Sequence, residues 1–181
     1  LYNWYDTRTL ELLRPAFISS VDSGNFIGFL IALKQGLIEY AGEDSGKPGD
    51  LGQRIISLIE RIDALVAETQ FAPLFDEQRQ LFSIGYNVEE EKLVNSYYDL
   101  LASEARITSF LAIARGEVPE EHWFRLGKSL TMVDGYKGLV SWSGTMFEYF
   151  MPHMLLPAYD GTLLNESLNY CLYCQKKRTK N

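Results

Sequence analysis

Apolar positions along the chain recur at two different spacings. Phe26, Phe29, Leu30, Leu33 and Leu37 follow one another mainly at intervals of three and four, and Ile27 and Ile31 widen the stripe. This spacing predicts a helix that opens at Asp22-Ser23-Gly24-Asn25, a run of capping residues, and that is buried on more than one side. Ala41-Gly42-Glu43-Asp44-Ser45-Gly46-Lys47-Pro48-Gly49 reads as a loop between helices. A cleaner amphipathic pattern from Asp50 to Glu68 sets Ile55, Leu58, Ile59, Ile62, Leu65 and Val66 against Arg54, Glu60, Arg61, Asp63 and Glu68. A linker through Pro73 leads to a short strand and turn at residues 80–87. A third helix is expected from about Leu93 to Arg115, stopped by Gly116, and Pro119 opens a short helix through Phe124.

Beyond Lys128 the spacing shifts toward alternation and glycines stand at 135, 138 and 144, which predicts a hairpin from about Leu130 to Val140. Thr145 to Met151 reads as a short helix cut off before Pro152. Asn165 to about Lys177 forms the last, with Leu164, Leu168, Cys171 and Leu172 facing inward. The fold class is mostly α with short β-hairpin excursions.

Composition narrows the function classes. The 181 residues are 46% hydrophobic and 13% aromatic, enough apolar surface to offset the entropy of ordering, which excludes a disordered chain. A formal charge of −7 argues against non-specific nucleic-acid binding, and the run Lys176-Lys177-Arg178-Thr179-Lys180 reads as a solvated tail. No apolar stretch reaches the roughly 18 residues that a bilayer crossing needs, because Phe26–Leu33 stops at Lys34. The opening Leu1-Tyr2-Asn3-Trp4-Tyr5-Asp6 has no basic region of the signal-peptide kind. Cys171 and Cys174 have redox or half-zinc-site spacing but no second pair, so they read as buried or half-buried thiols in a reducing compartment. His122 and His153 stand alone and read as structural. Metal-ligand spacing, a Gly-x-Ser-x-Gly elbow and phosphate-binding glycine loops are all absent, so neither metal nor cofactor is expected.

Polar residues that interrupt apolar or aromatic runs carry the remaining signal, since burying them unpaired is costly. Four clusters qualify. Asp22 in Ser19–Asn25 is either a helix cap or a site residue. Glu104 in Ala102-Ser103-Glu104-Ala105-Arg106 lies in mid-helix near the apolar stripe, where it is either a surface acid or a carboxyl poised for acid–base work. Asp134-Gly135-Tyr136-Lys137 puts an acid, an aromatic and a base on one turn. Ser141–Pro152 surrounds Glu148 with Phe147, Tyr149 and Phe150. Aromatic platforms beside carboxylates suit sugars, whose apolar ring faces stack while hydroxyls take hydrogen bonds.

Taken together, these clusters resemble one family. Tyr2–Leu10, Ser19–Asn25, Phe75–Asn87, Tyr98–Arg106 and Ser141–Tyr149 are similar to the glucoamylase-like middle domain of cyclic β-1,2-glucan synthases, a family related to endo-β-1,2-glucanases. The likeness spans about residues 1 to 168. It implies an (α/α)6 barrel, a β-1,2-glucan oligosaccharide as ligand, and closure of the linear glucan into a ring by retaining transglycosylation. It also implies a domain without a membrane span of its own, tethered to a membrane-embedded glycosyltransferase region on the cytoplasmic side of a bacterial inner membrane. Glu104 matches a catalytic carboxylate, with Asp22, Arg106, Tyr136, Trp142 and Glu148 contacting substrate or shaping the site.

Retaining chemistry needs a second carboxyl group. Family members continue into a Trp-Gly-Ile-Ser-Glu-Ser stretch whose Glu is expected to supply it. Here residues 169–181 diverge into a basic tail, and Leu1 opens inside a motif without Met. Twelve helices with their loops would need roughly 180–215 residues before any elaboration, and about six are legible. The expectation is therefore a partial (α/α)6 barrel, a single incomplete domain and an inactive fragment of a transglycosylase. A non-catalytic β-glucan-binding module and a structural module are the alternatives.

Overall fold

In the computed structural model, which describes residues 1–43 and 49–179, the first apolar stripe lies on helix α1 (Ser20–Glu43). Most of the loop expected at Ala41–Gly49 and the end of the basic run at Lys180 fall outside the described residues. The second stripe forms α2 (Asp50–Glu68), with the bounds that its periodicity predicts, burying Ile55 and Ile62. α1 packs against α2 and against α3 (Arg106–Ala114). A polar clamp ties the far ends of α2 and α3 together. Arg115 donates to the carbonyls of Val66 at 2.7 Å and Thr69 at 2.6 Å and pairs with Glu117 at 2.7 Å, while the Glu117 carboxylate accepts the amides of Phe71 and Ala72.

The expected long helix from Leu93 to Arg115 does not form. Its first half is strand and turn, because these residues pair with distant ones. One sheet runs β2 (Phe75–Asp76), β3 (Leu81–Ser83), β6 (Tyr97–Tyr98), with Phe82 opposite Tyr98. A second runs β1 (Phe17–Ser19), β4 (Gly85–Asn87), β5 (Lys92–Leu93). These ladders take up the backbone groups that a helix would need. Phe82 and Phe75 pack edge-on to the ring of His122, which is fully buried. His122 bonds through Nδ1 to the Gln80 carbonyl and through Nε2 to Ser109 Oγ, a structural role. Burial pulls its pKa below the ordinary histidine value, with the Gln80 bond opposing.

The predicted hairpin is present as β7 (Leu130–Val133) and β8 (Tyr136–Leu139). Asp134 and Gly135 both have positive φ, 50° and 88°, the backbone of a type I′ turn that suits an Asp-Gly pair. Helix α6 (Leu163–Arg178) lies across β8, and the short α5 (Met146–Phe150) packs on α6. Together with α4 (Glu121–Arg125) these elements enclose a second core of Leu101, Ala102, Leu126, Leu139, Tyr149 and Cys171. Both cysteines are free, and burial pushes the Cys171 thiol up to about 11, which keeps it protonated and unreactive.

This architecture overturns the partial (α/α)6 barrel. Such a barrel is built from helix pairs arranged in two rings. The described residues hold six α-helices, with α4 and α5 only five residues each, and three small antiparallel sheets. Residues 75–98 satisfy much of their backbone through strand pairs, so the helix layer stops at α1, α2 and α3. Among the described residues no helix is long and apolar enough to cross a membrane.

The α1–α3 crossing gives a direct test. A Cβ on Gly24 would sit 2.0 Å from Thr108 Oγ1 and 2.7 Å from Thr108 Cα, whereas one on Gly36, also in α1, would meet nothing within 4 Å. Gly24→Ala should cost about 2–3 kcal/mol through overpacking. Gly36→Ala should add about 0.5–1 kcal/mol by favouring the helix. Urea unfolding measures both; equal midpoints for the two variants would refute the close crossing.

Candidate functional site

Residues 99–105 turn back from β6 into α3. Leu101 N donates to Gly127 O at 3.0 Å and Arg106 N to Ser103 O at 3.2 Å. Glu104 therefore stands in the turn just ahead of α3, not in mid-helix. Opposite it, loop 141–145 brings up Trp142. Between them lies a cavity of about 210 Å³. Ile84, Ser96, Tyr97 and Tyr98 line it from the strand layer, Ser103 and Glu104 from the turn, and Trp142 and Glu148 from the loop and α5.

The two carboxylates in this cavity have different surroundings. Glu148 is buried, 6% exposed, and ringed by donors. Ser141 Oγ lies 3.0 Å away, Ser143 Oγ 2.6 Å, Ser143 N 3.1 Å, Thr145 N 3.1 Å and Thr145 Oγ1 3.2 Å. The Thr145 bonds form a capping box at the start of α5. Burial alone would raise the Glu148 pKa, but the donors from Ser143, Thr145 and Ser141 outweigh it and hold the pKa below the usual glutamate value. Glu148 is thus an ionised staple that folds loop 141–145 and sets out Trp142, which is 61% exposed. Glu104 is half-buried, and its one described side-chain partner is Ser103 Oγ at 3.5 Å. Its oxygens are left available to a ligand.

Two tyrosines complete the strand wall. Tyr97 donates to Asp76 Oδ2 at 2.7 Å and carries the Arg79 guanidinium 4.7 Å above its ring, so it is fixed in place. Tyr98 is pushed up to about 12 by burial, then by the charges of Glu104 and Asp22. It stays a neutral O–H donor, and none of the described residues accepts its proton. Sequence reasoning did not single out Tyr98. The signal was present, since an aromatic pair directly precedes the segment that carries Glu104.

The remaining candidates lie elsewhere. Asp22 is exposed in the first turn of α1, and the capping oxygen there is that of Ser19, which accepts Asp22 N at 3.2 Å. Asp22 does not line the cavity, but its charge reaches Tyr98. Arg106 is 3% exposed. It donates to Leu101 O at 3.4 Å, and its Nη2 lies 3.1 Å from His153 Nε2. Burial lowers it to about 10. Tyr136 lines a different groove, beside α6. Among the described residues no group of His, Cys, Asp and Glu is placed to hold a metal ion. A larger groove of about 450 Å³, lined by Gly28, Ile31, Ile107 and Leu155 among others, is mainly apolar and brings no carboxylate together with a donor. Converging chemistry, not volume, marks the smaller cavity.

The fold and site thus define a mixed α and β unit with a cleft of carboxylates, hydroxyls and aromatic rings. No protein-family profile matches the chain. Over 152 residues, 84% of the chain, it is 40% identical to the cyclic beta-(1,2)-glucan synthase NdvB of Rhizobium meliloti (strain 1021). That level of identity over most of the chain relates it to this enzyme, of whose length the match covers 5%.

Glu148 supplies the test of the loop. Its folded pKa is lowered, so the stability it contributes is present above the ordinary glutamate value of about 4.3 and is lost as pH falls through the lowered folded value. Glu148→Gln should cost about 1–3 kcal/mol at neutral pH, because buried donors lose a charged acceptor. It should also flatten the acid limb of stability against pH. An acid limb identical to that of the unaltered chain would remove Glu148 as the staple.

Proposed function

We propose that the chain is a glucan-handling part of an enzyme of the cyclic β-1,2-glucan synthase type, corresponding to the domain that closes the glucan by retaining transglycosylation. The observation that carries this reading is the convergence of Glu104, Tyr98 and Trp142 on one cavity. The 40% identity to a cyclic β-(1,2)-glucan synthase supports it. In this reading Trp142 stacks on a pyranose face, Tyr98 donates to a sugar hydroxyl, and Glu104 is one of the two carboxyl groups that retaining chemistry uses. Glu148 is committed to its loop and does not serve as the other. The partner carboxylate is assigned to the parent enzyme, and the chain alone binds glucan without turnover. The cytoplasmic face of a bacterial inner membrane is the setting that accompanies this reading.

One observation favours a structural role beside it. α1 carries apolar residues on more than one side and leaves Phe26, Phe29, Leu33 and Ile38 exposed, as a helix does when another surface covers it. A concentration-independent monomer in solution would count against that second reading.

In the parent-length enzyme Glu104→Gln should lower cyclic product formation by roughly a hundred- to ten-thousandfold and leave glucan affinity nearly unchanged. Chromatography of products and a binding titration read the two effects. Full activity of the variant would reject Glu104, and cyclic product from the isolated chain would reject the missing-partner assignment.

A further inference from the structure

The hairpin turn carries a cluster that the cavity does not use. The ring of Tyr136 stacks on that of Tyr173 in α6, with centroids 4.1 Å apart and planes within 10°. Tyr173 donates its hydroxyl proton to Asp134 Oδ2 at 2.6 Å, and Lys177 Nζ reaches the same oxygen at 2.6 Å. Tyr136 is pinned on that side and remains 46% exposed. It lines an open groove of about 670 Å³ together with Leu130, Leu163, Lys137 and Glu166. None of these residues lines the Glu104 cavity.

The chemistry of the groove points to its ligand. Asp134 and Glu166 offset Lys137 and Lys177, so the surface carries no net charge and does not suit a phosphate or a polyanion. An aromatic ring with rigid support, two apolar side chains and flanking polar groups match a neutral polyhydroxylated ring. Because Tyr136 is already held by Tyr173, little rotamer entropy remains to be lost on binding. β8 then leads from Tyr136 toward the loop bearing Trp142, six residues on, a span of at most about 20 Å in extended chain.

We propose that this groove is a second glucan-contacting surface, where Tyr136 stacks on a sugar ring of a chain that also occupies the Glu104 cavity. The inference rests on the glucan reading given above. Joining two weak contacts through one ligand raises the affinity for long chains selectively.

Calorimetric titration of the full chain with a long linear β-1,2-glucan and with the β-1,2-linked disaccharide separates the two surfaces. Tyr136→Ala should weaken long-glucan binding roughly three- to tenfold and leave disaccharide binding unchanged. Tyr136→Phe keeps the ring face and should bind as the unaltered chain does, whereas Trp142→Ala should weaken both ligands. Should Tyr136→Ala lower Tm, Lys137→Ala at the exposed rim carries the test through the same length-selective loss. Unchanged long-glucan affinity in both the Tyr136→Ala and Lys137→Ala variants overturns this second surface while leaving the cavity reading intact. Failure of the unaltered chain to bind either sugar overturns both.

Discussion

Segments distant in sequence meet at Ser20, and the placement of the cavity depends on how closely they do so. Ser20 N donates to Ile84 O at 3.1 Å, Ser20 Oγ to Ser83 O at 2.6 Å, and Thr108 Oγ1 to Ser20 O at 2.9 Å. Ser83 Oγ in turn lies 2.7 Å from Val94 O. Ser20, Ser83 and Thr108 are each no more than 1% exposed. Larger side chains would hold the backbones apart, and small apolar ones would leave buried carbonyls without partners. Hydroxyl residues meet both demands. Gly24, one turn along α1, extends the same close approach to Thr108.

The seam carries the site with it. Ser83 is the last residue of β3, whose pairing with β6 fixes Tyr97 and Tyr98. Thr108 lies in the first turn of α3, so locking it to Ser20 also locks the turn that bears Glu104. Asp22, two residues past Ser20, comes within electrostatic reach of Tyr98 by the same route. Loop 141–145 reaches the cavity independently, through Glu148, and Gln175 of α6 adds a bond to Gly144 O at 3.3 Å. Two carboxylates thus share one small cavity with separate tasks. One is saturated by loop donors, and the other has Ser103 Oγ at 3.5 Å as its one described side-chain partner.

The legible parts of the fold are those decided locally. α2 follows from its amphipathic period alone, and the β7–β8 turn from the tolerance of Asp-Gly for positive φ. The failure at residues 93–105 has a different origin. Tyr97, Leu100 and Leu101 fit a helical spacing well enough, but Phe82 and Ser83, some fifteen residues upstream, offer a sheet edge, and no local pattern announces that pairing. The same reason hid Tyr98, whose neighbours are set by a ladder. Glu104, Trp142 and Glu148 were legible as polar or aromatic interruptions. Tyr136 was legible as a candidate, though nothing in the sequence placed it in a different groove from Glu104.

Arg106 shows how sequence proximity misleads and what the fold does with the consequence. It stands two residues from Glu104, yet side chains at that spacing diverge as a helix begins, and the guanidinium turns into the interior. Among the described residues no carboxylate pairs with it. A buried cation without an anion is costly, and its polar contacts offset that only in part. Nε is buried without a hydrogen-bond partner among the described residues, and the Leu101 bond is long. His153 Nδ1 lies 3.1 Å from Leu156 O and must donate to it, which leaves Nε2 as the acceptor for Arg106. Burial, and then the Arg106 charge, lower the His153 pKa, so the imidazole stays neutral and keeps that lone pair. Arg106 itself, at about 10, remains charged at neutral pH. The outcome is a buried positive charge beside the turn that bears Glu104, with the Leu101 carbonyl and the neutral His153 ring as its partners.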